Sequence, residues 1–232
     1  MTLSTPLEFP IRVRGILFDM DGTLIDTTLI VEKHWKRWCE EHGIDYPTLI
    51  ASSHGRPCKV VVGEFAPLHL RDHFLTDEYI RQFEDSVTVD KEGMIVIPGA
   101  VELLGSLPRT LWAVVTSAGH DMAVQRFAQV GVEPPVLVTI AHVARGKPAP
   151  DGYLLGAEKI GLDPRDCIVF EDTAPGIRAG IAAGAKVVVG MQTGTTDAKS
   201  LKEAGAKLVI KSFEELEVKL AKDGWLDISL RM

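Results

Sequence analysis

Cysteine is scarce in this chain, and its scarcity excludes two kinds of stabilised fold. The 232 residues contain three cysteines, Cys39, Cys58 and Cys167. Because they are odd in number and far apart, they fit neither a disulfide framework nor a zinc site. Unpaired cysteines are typical of a reducing compartment, so we expect the protein to be cytoplasmic.

Positive charge is also in short supply. The chain has 25 basic residues against 32 acidic ones, which gives a formal net charge of −7. A general binder of nucleic acid or of an acidic membrane needs a basic surface, so this balance argues against both kinds of partner. It does not exclude small anionic substrates, because a metal ion and a few positive groups can govern the field at one site.

Long apolar runs, internal repeats and low-complexity tracts are missing as well. Since no run approaches the length of a membrane-spanning helix, we expect no membrane partner. The first ten residues lack the basic start and apolar centre of a secretion signal, and we expect them to form a loose lead-in. Hydrophobic residues make up 46% and charged residues 25% of the chain, which is typical of a globular protein.

The chain does contain a regular alternation of short apolar runs and stretches with helical spacing. The apolar, β-rich runs cover residues 13–18, 111–115, 136–138, 167–170 and 186–189. The helical stretches cover residues 121–130, 152–160 and 175–183, and a capping box at 212–215 predicts the start of a last helix. Such alternation predicts an α/β protein with a Rossmann-like, mostly parallel sheet covered by helices on both faces.

One segment interrupts this alternation. Between Thr27 and Ile97 the apolar residues follow helical spacing, which predicts helices over residues 29–42, 59–65 and 76–83. About seventy residues without a core strand is too long for a simple crossover between strands. We therefore predict two domains, an α/β catalytic core and an inserted helical cap, formed respectively by residues 1–27 with 98–232 and by residues 28–97. The cap would cover the crevice at the carboxyl ends of the strands, where ligands of such sheets bind.

Two carboxylates follow the first predicted strand. Asp19 and Asp21 come directly after the apolar run Ile16–Phe18, and Gly22 permits a turn that directs both at one point. Close carboxylates repel each other unless a cation or a shared proton intervenes, so the pair predicts a metal site, with Mg²⁺ as the ion. Beside such an ion Asp19 is a candidate nucleophile for phosphorus, and Asp21 a candidate proton donor and acceptor. The alternative is an Asp-Gly turn whose carboxylates cap backbone amides.

Polar groups also follow the next two predicted strands. Thr116, Ser117 and Ala118 form a small-residue turn whose hydroxyl and amide groups suit a phosphate oxygen, although an ordinary helix start would have the same sequence. Lys147 is held between glycine and proline, where its ammonium is placed to bridge a nucleophile and a phosphoryl group. The alternative for Lys147 is a solvated loop lysine.

The fourth predicted strand ends in two acids, Glu171 and Asp172. Asp172 offers a hard oxygen ligand for Mg²⁺, with Glu171 as a ligand or a supporting partner. The alternative is a turn carboxylate that precedes the next helix. Because the carboxyl ends of parallel strands meet at one edge of a sheet, we expect the polar groups of all four strand ends to converge.

Four stretches of the sequence together resemble the haloacid dehalogenase-like superfamily, and within it the phosphatases with a small helical cap. They match its four motifs in order and spacing: FDMDGTLIDT, VVTSAG, GKPAPDGYLLGAEKIGL and VFEDTAPGIRAGIAAGA. The resemblance extends from about Arg14 to Phe213. The cap phrase Ser53–Arg56, with the stretch LWAVVTSAGHDMA, looks most like the sugar-phosphate and glycerol-3-phosphate phosphatases of that group.

The resemblance implies a mechanism in two covalent steps. Asp19 would attack phosphorus to form an aspartyl-phosphate. Asp21 would protonate the leaving alkoxide and then deprotonate the water that hydrolyses the intermediate. Lys147 would balance the charge of the transition state.

The resemblance also implies which residues bind phosphate, metal and the rest of the substrate. The phosphoryl-binding residues would be Thr116, Ser117 and Ala118. The ligands of Mg²⁺ would be Asp19, the Asp21 carbonyl and Asp172, with Glu171 in support. In the cap, Arg56 and Lys59 are the positive groups best placed to meet the substrate, and His54 and Gly55 would form a turn beside them. The alternative is that this cap surface is solvated.

We therefore predict a Mg²⁺-dependent hydrolase that releases phosphate from small phosphorylated sugars or polyols. The alternative is a phosphosugar mutase of the β-phosphoglucomutase kind, which shares the four motifs and moves the phosphoryl group to a second hydroxyl. A dehalogenase is disfavoured because matching sequences lack the second carboxylate, here Asp21, and a non-catalytic binding protein because no motif residue is missing. The predicted partner is a small phosphorylated metabolite, and the predicted assembly is a monomer or weak homodimer.

Overall fold

A parallel sheet of six strands lies at the centre of the computed structural model, which describes residues 7–53, 56–193 and 196–231. In chain order, the strands of the described residues are β1 (Ile11–Val13), β2 (Gly15–Phe18), β3 (Ile25–Asp26), β4 (Ile95–Val96), β5 (Trp112–Val115), β6 (Leu137–Val138), β7 (Cys167–Glu171), β8 (Val187–Met191), β9 (Leu208–Ile210), β10 (Leu216–Leu220) and β11 (Leu226–Leu230). The central sheet has the order β6-β5-β2-β7-β8-β9. This confirms the predicted α/β class with a mostly parallel, Rossmann-like sheet.

Helices fill most of the connections between these strands. Within the described ranges they are α1 (Thr28–His42), α2 (Tyr46–Ser53), α3 (Cys58–Phe65), α4 (Arg71–Phe74), α5 (Asp77–Val89), α6 (Ala100–Ser106), α7 (His120–Gln129), α8 (Asp151–Lys159), α9 (Ala174–Ala182) and α10 (Ala198–Ala204). The helices predicted in the core are confirmed as α7, α8 and α9, each shifted by about one residue, the usual uncertainty of a helix end. Among these helices, none is both long and apolar enough to cross a membrane.

Alternate residues of the central strands enter two separate apolar clusters, one on each face of the sheet. In β2, Ile16 and Phe18 belong to one cluster and Leu17 to the other, and all three are fully buried. A strand that is covered on both faces needs apolar side chains in both directions. This is why β2 appears in the sequence as a continuous apolar run.

The first predicted strand, residues 13–18, is divided in the structure. β1 pairs antiparallel with β11, whereas β2 pairs in parallel with β5 and β7. Between β1 and β2 the amide of Arg14 donates to the Asp166 carbonyl at 2.7 Å. The chain therefore passes from one sheet to another at Arg14, a change that the apolar run does not reveal.

The prediction of a last helix is wrong. The capping box at Ser212 and Glu215 forms, but it closes a single 3₁₀ turn, Phe213–Glu215, and the chain continues into β10 and β11. The β10 sequence LEVKL alternates apolar and polar residues, which is the period of a strand. β11 pairs with it antiparallel along its whole length, so strand pairing outweighs the local helix signal.

A separate helical unit lies between β3 and β4. In the described part of the chain it consists of α1 to α5, and its own apolar cluster includes Trp35, Trp38 and Phe74. The helices predicted over residues 29–42, 59–65 and 76–83 are confirmed as α1, α3 and α5, although α5 continues to Val89. The segments α2 and α4 had no corresponding prediction.

The two short strands at the base of this unit, β3 and β4, pair antiparallel. The chain therefore enters and leaves the helical unit at one place. Together with the separate apolar cluster, this supports the proposed division into a catalytic core, residues 1–27 and 98–232, and a cap, residues 28–97.

Candidate active site

Four strand ends bring polar groups to one edge of the parallel sheet. β2 lies between β5 and β7 and pairs in parallel with both. Asp19 follows β2, Thr116 follows β5 and Glu171 ends β7. The loop after β6 carries Lys147 to the same edge, where its ammonium contacts Asp19. Groups that are distant in the sequence are thus assembled by the order of the strands.

Lys147 lies at the centre of this edge. Its ammonium forms ion pairs with Asp19 and with Glu171, the latter at 2.6 Å, and donates to the Val115 carbonyl at 3.1 Å. Burial lowers the pKa of Lys147, but the charges of Asp19 and Glu171 outweigh burial and hold the pKa above its ordinary value. The side chain is 7% exposed, so Lys147 is not a solvated loop lysine.

Glu171 is fully buried, and both of its carboxylate oxygens have partners. Oε1 accepts from the Tyr153 hydroxyl at 2.9 Å and pairs with Lys147. Oε2 accepts from the Thr173 amide at 3.1 Å and from its hydroxyl at 3.0 Å. These bonds fix Glu171 in one orientation, so that its charge positions the Lys147 ammonium.

Two carboxylate oxygens near Lys147, unlike those of Glu171, have no hydrogen-bond partner within the described part of the chain. Asp19 Oδ2 and Asp172 Oδ1 are buried and have no hydrogen-bond partner among the described residues. Candidate ligand atoms of Asp19, Glu171 and Asp172 lie within 4.8 Å of one another. Buried carboxylate oxygens without a partner are costly, and hard oxygen donors are the ligands that Mg²⁺ prefers. The residues present therefore fit a magnesium ion.

The pKa values at this edge support the same conclusion. Burial, opposed by the charge of Lys147 and assisted by that of Glu171, raises the pKa of Asp19 to about 7. Burial, with the charges of Asp19 and Glu171, raises the pKa of Asp172 well above its ordinary value. Burial is the largest cause of both shifts, and the neighbouring carboxylates add to it more negative charge than Lys147 alone balances.

Gly22 allows Asp172 to approach. Its φ of +79° is in the left-handed region that favours glycine, and a Cβ at this position would lie 2.0 Å from Asp172 Oδ2. The same turn presents Asp21, whose Oδ1 accepts from the Thr27 hydroxyl at 2.7 Å. Burial raises the pKa of Asp21, and the bond from Thr27 acts against that shift. Thr27 therefore fixes the orientation of the Asp21 carboxyl.

The turn after β5 is ordered by its own hydrogen bond. The Thr116 hydroxyl accepts from the Ala118 amide at 3.0 Å. The amide predicted to hold a phosphoryl oxygen thus already has an acceptor inside the turn. Thr116, Ser117 and Ala118 nevertheless lie beside the two aspartates, because all of them line one cavity.

This cavity has a volume of about 150 Å³ and lies between the helical unit and the edge of the sheet. Its sheet side includes Asp19, Asp21 and Asp172, and its helical side includes Arg56. The guanidinium of Arg56 pairs with Glu64 at 2.6 Å and donates to the Ser52 carbonyl at 3.2 Å. A substrate that reaches Arg56 therefore shares it with Glu64.

Of the other predicted cap residues, Lys59 does not join this group. It is not among the lining residues of the cavity, and its exposed ammonium pairs with Asp77 at 2.6 Å. The reason is local, since Lys59 lies on the outer side of α3 and its neighbour Cys58 lines the cavity. His54 and Gly55 lie outside the described residues.

Sequence reasoning missed several residues of the site. Tyr153 lies within the third motif, and a buried tyrosine needs a partner for its hydroxyl, so a signal for it existed. Arg126 on α7 had no such signal. It is fully buried and donates to the Val87 carbonyl at 2.7 Å and to the Asp90 carbonyl at 2.9 Å, at the end of α5. These acceptors are main-chain atoms far away in the sequence, which residue patterns do not report.

Comparison with known proteins agrees with this geometry. A family model described as haloacid dehalogenase-like hydrolase matches residues 13–184. The chain is 36% identical over 216 residues to hexitol phosphatase A of Escherichia coli, a match that covers 92% of this chain and 97% of that protein. It is 35% identical over 227 residues to glycerol-1-phosphate phosphohydrolase 2 of Saccharomyces cerevisiae, covering 92% and 88% of the two chains.

A solved structure has the same fold. The crystal structure of a hydrolase from Pseudomonas syringae superposes with a TM-score of 0.70 at 28% sequence identity. The superposition covers 85% of this chain and 93% of that one. The likeness therefore extends over most of both chains.

Proposed function

This chain belongs to the haloacid dehalogenase-like hydrolase family and is a phosphoric monoester hydrolase, and from that premise we propose that it releases phosphate from small phosphorylated sugars or polyols through Asp19. One observation carries the proposal. Asp19 lines a cavity together with Asp21 and Asp172, and behind it the buried Lys147 ammonium bridges Asp19 and Glu171. The proposed nucleophile and proton-transfer group thus face one space, and the nucleophile is paired with a buried positive charge.

In this proposal the reaction takes two balanced steps, which the positions of Asp19 and Asp21 support. A carboxylate oxygen of Asp19 forms a bond to phosphorus while the bond from phosphorus to the sugar oxygen breaks, and Asp21 gives its proton to that oxygen. Water then attacks phosphorus, its proton passes to Asp21, and the carboxylate of Asp19 leaves. The second step restores both aspartates to their starting states.

The remaining groups stabilise charge during both steps. Lys147 neutralises the charge that develops between Asp19 and the phosphoryl oxygens, and Glu171 with Tyr153 keeps its ammonium in place. Thr116 and Ser117 line the space for the phosphoryl oxygens. The Ala118 amide donates to the Thr116 hydroxyl, so it can bind a phosphoryl oxygen only after that hydrogen bond breaks.

The metal that suits this site is Mg²⁺. Asp19 and Asp172 would hold it through their unpartnered oxygens, together with the Asp21 carbonyl, while Glu171 serves the site through Lys147. When bound, the ion supplies positive charge beside the phosphoryl oxygens. We therefore include in the proposal that phosphate release depends on Mg²⁺.

Replacement of Asp172 by asparagine should remove most of the stabilisation that Mg²⁺ gives the folded protein. At a free concentration about 100 times its dissociation constant, the ion should raise the free energy of unfolding of the unaltered protein by about 2.7 kcal/mol. Chemical denaturation with Mg²⁺ and with a chelator measures this gain. Asp163→Asn is the matched control, because Asp163 pairs with Arg165 on the exposed surface. An equal gain in Asp172→Asn would remove Asp172 from the metal site.

The substrate class has support from the relatives, which are named for hexitol and glycerol-1-phosphate hydrolysis. The predicted alternative, a phosphosugar mutase, is not favoured for the same reason. Glycerol 3-phosphate belongs to the proposed class as a three-carbon polyol phosphate. We also propose a cytoplasmic location, supported by the free thiols of Cys39, Cys58 and Cys167, and a monomer or weak homodimer.

A phosphate-release screen tests the proposal. The panel contains hexose, hexitol and glycerol monophosphates, nucleoside monophosphates and a sugar bisphosphate, each with Mg²⁺. We expect turnover of sugar and polyol monophosphates and weaker turnover of nucleotides. A protein that releases no phosphate across the panel would contradict the proposal, and formation of an isomer in place of phosphate would revive the mutase.

A further inference from the structure

Glu84 on α5 brings a negative charge from the helical unit into the cavity. It lines the same space as Ser117 and Ala118, and its side chain is half-buried. Within the described ranges of the chain, no hydrogen-bond donor or cation is paired with its carboxylate. Burial, followed by the charge of Asp85, raises the pKa of Glu84, as expected where no donor compensates the loss of water.

The neighbouring charges are engaged elsewhere. Among the described residues that line the helical side of the cavity, Arg56 is the cation, and it pairs with Glu64 at 2.6 Å. Asp85, the next residue on α5, pairs with Arg81 at 3.2 Å on the exposed surface. Glu84 therefore differs from Glu64 and Asp85, the nearby acids of the helical unit, because it lines the cavity and both of those already have partners.

Glu84 lies close to the turn proposed to hold the phosphoryl group. A Cβ at residue 119 would be 2.8 Å from Glu84 Oε2, so the carboxylate touches the main chain of Gly119, directly after Ala118. The glycine leaves room for this contact between the cap and the core. The rest of the helical side of the cavity is largely apolar and includes Val31, Trp35 and Phe83.

We propose that Glu84 is a specificity-determining residue that accepts hydrogen bonds from hydroxyl groups of the leaving alcohol and rejects substrates with a second phosphate. The inference rests on the proposed phosphatase function and narrows its substrate class to polyhydroxylated monophosphates with an uncharged far end. An ionised carboxylate accepts hydrogen bonds and donates none, so hydroxyls match it and phosphate dianions do not. A half-buried acceptor left without a donor penalises any substrate that lacks the hydroxyl.

Three substrates, compared in the unaltered protein and in Glu84→Gln, distinguish hydrogen bonding to substrate hydroxyls from rejection of a second phosphate. For a hexitol monophosphate, kcat/KM should fall about 10-fold, mainly through KM, because the hydrogen bonds form with substrate and transition state alike. For a hexose bisphosphate, kcat/KM should rise about 10-fold as like-charge repulsion disappears. Phenyl phosphate, which has neither hydroxyls nor a second charge, should react as before.

A second variant and a control complete the design. Glu84→Leu removes the acceptor as well as the charge and should lower kcat/KM for the hexitol phosphate by about 100-fold in total. Asp85→Asn removes the same charge one residue away and should leave all three kcat/KM values unchanged. Parallel changes for the three substrates, or an unchanged ratio between hexitol phosphate and bisphosphate, would overturn the inference. If the unaltered protein hydrolyses phenyl phosphate but does not prefer the hexitol phosphate to it, the inference alone fails. If it hydrolyses none of the three, the proposed function fails with it.

Discussion

Replacement of Asp19 by asparagine is expected to lower kcat for phosphomonoester hydrolysis by about 10⁴-fold or more without unfolding the protein. An amide cannot form the acyl-phosphate bond, so the two-step route closes. The asparagine at residue 19 would interact more weakly with the Lys147 ammonium than the aspartate does. The ion pair of Lys147 with Glu171 remains. The fold should persist because the apolar clusters on both faces of the sheet are untouched.

Two measurements check this result. Phosphate release gives kcat, and acid quenching during turnover shows whether phosphate is bound covalently to the protein. When the phosphoryl group of the substrate is labelled, the unaltered enzyme should carry that label after quenching, and Asp19→Asn should not. Asp26→Asn is the control, since Asp26 Oδ1 accepts from the Thr28 amide at 2.9 Å, which asparagine can also do. Full turnover by Asp19→Asn, or label on it, would show that Asp19 is not the nucleophile.

Replacement of Asp21 by asparagine is expected to lower kcat for alkyl phosphates by about 10²–10⁴-fold, the usual contribution of a positioned acid or base. Asparagine keeps an oxygen that can accept from Thr27, so the orientation of the side chain should survive. Proton transfer is what the variant loses. The loss affects both steps, because the same carboxyl protonates the leaving oxygen and activates the water.

A substrate with a stable leaving anion separates the two steps. With p-nitrophenyl phosphate the first step no longer needs a proton from Asp21, whereas hydrolysis of the aspartyl-phosphate still needs a base. Asp21→Asn should therefore release about one equivalent of p-nitrophenolate in a burst and then accumulate labelled protein. Rapid-mixing absorbance and acid quenching detect both, with Asp26→Asn again as the control. A slow linear release without a burst would contradict the role of Asp21 in the second step.

The core of the candidate site could be predicted because parallel pairing converts sequence order into position. Each group lies at a strand end, and strand ends of a parallel sheet share an edge. The apolar runs identified the strands, so Asp19, Lys147, Glu171 and Asp172 could be assigned to one place before any distance was known. The structure adds the bonds within the group, such as that of Tyr153 with Glu171.

The parts that could not be predicted depend on contacts between distant segments. The last helix was predicted from a capping box, a local signal, and is replaced by β10 because β11 offers it a partner. Glu84 belongs to a polar stretch of α5 that is typical of a solvated helix face, and its contact with Gly119 arises only when the helical unit closes over the sheet. Lys59 is the opposite case. Its position beside the cap loop in the sequence predicted a contact with substrate, but in the structure it lies outside the cavity.

The fastening of the helical unit to the sheet limits how the cavity can open. The chain crosses twice at the β3–β4 pair, and Arg126 holds the carbonyls of Val87 and Asp90 close to that crossing. To pull this end away would strip a buried guanidinium of its acceptors, which is costly. We therefore expect the cavity to widen by a rotation of the helical unit about this attached end. In such a rotation the parts of the helical unit farthest from this end would move most, whereas Asp19 and Lys147, which both belong to the sheet side, would keep their spacing.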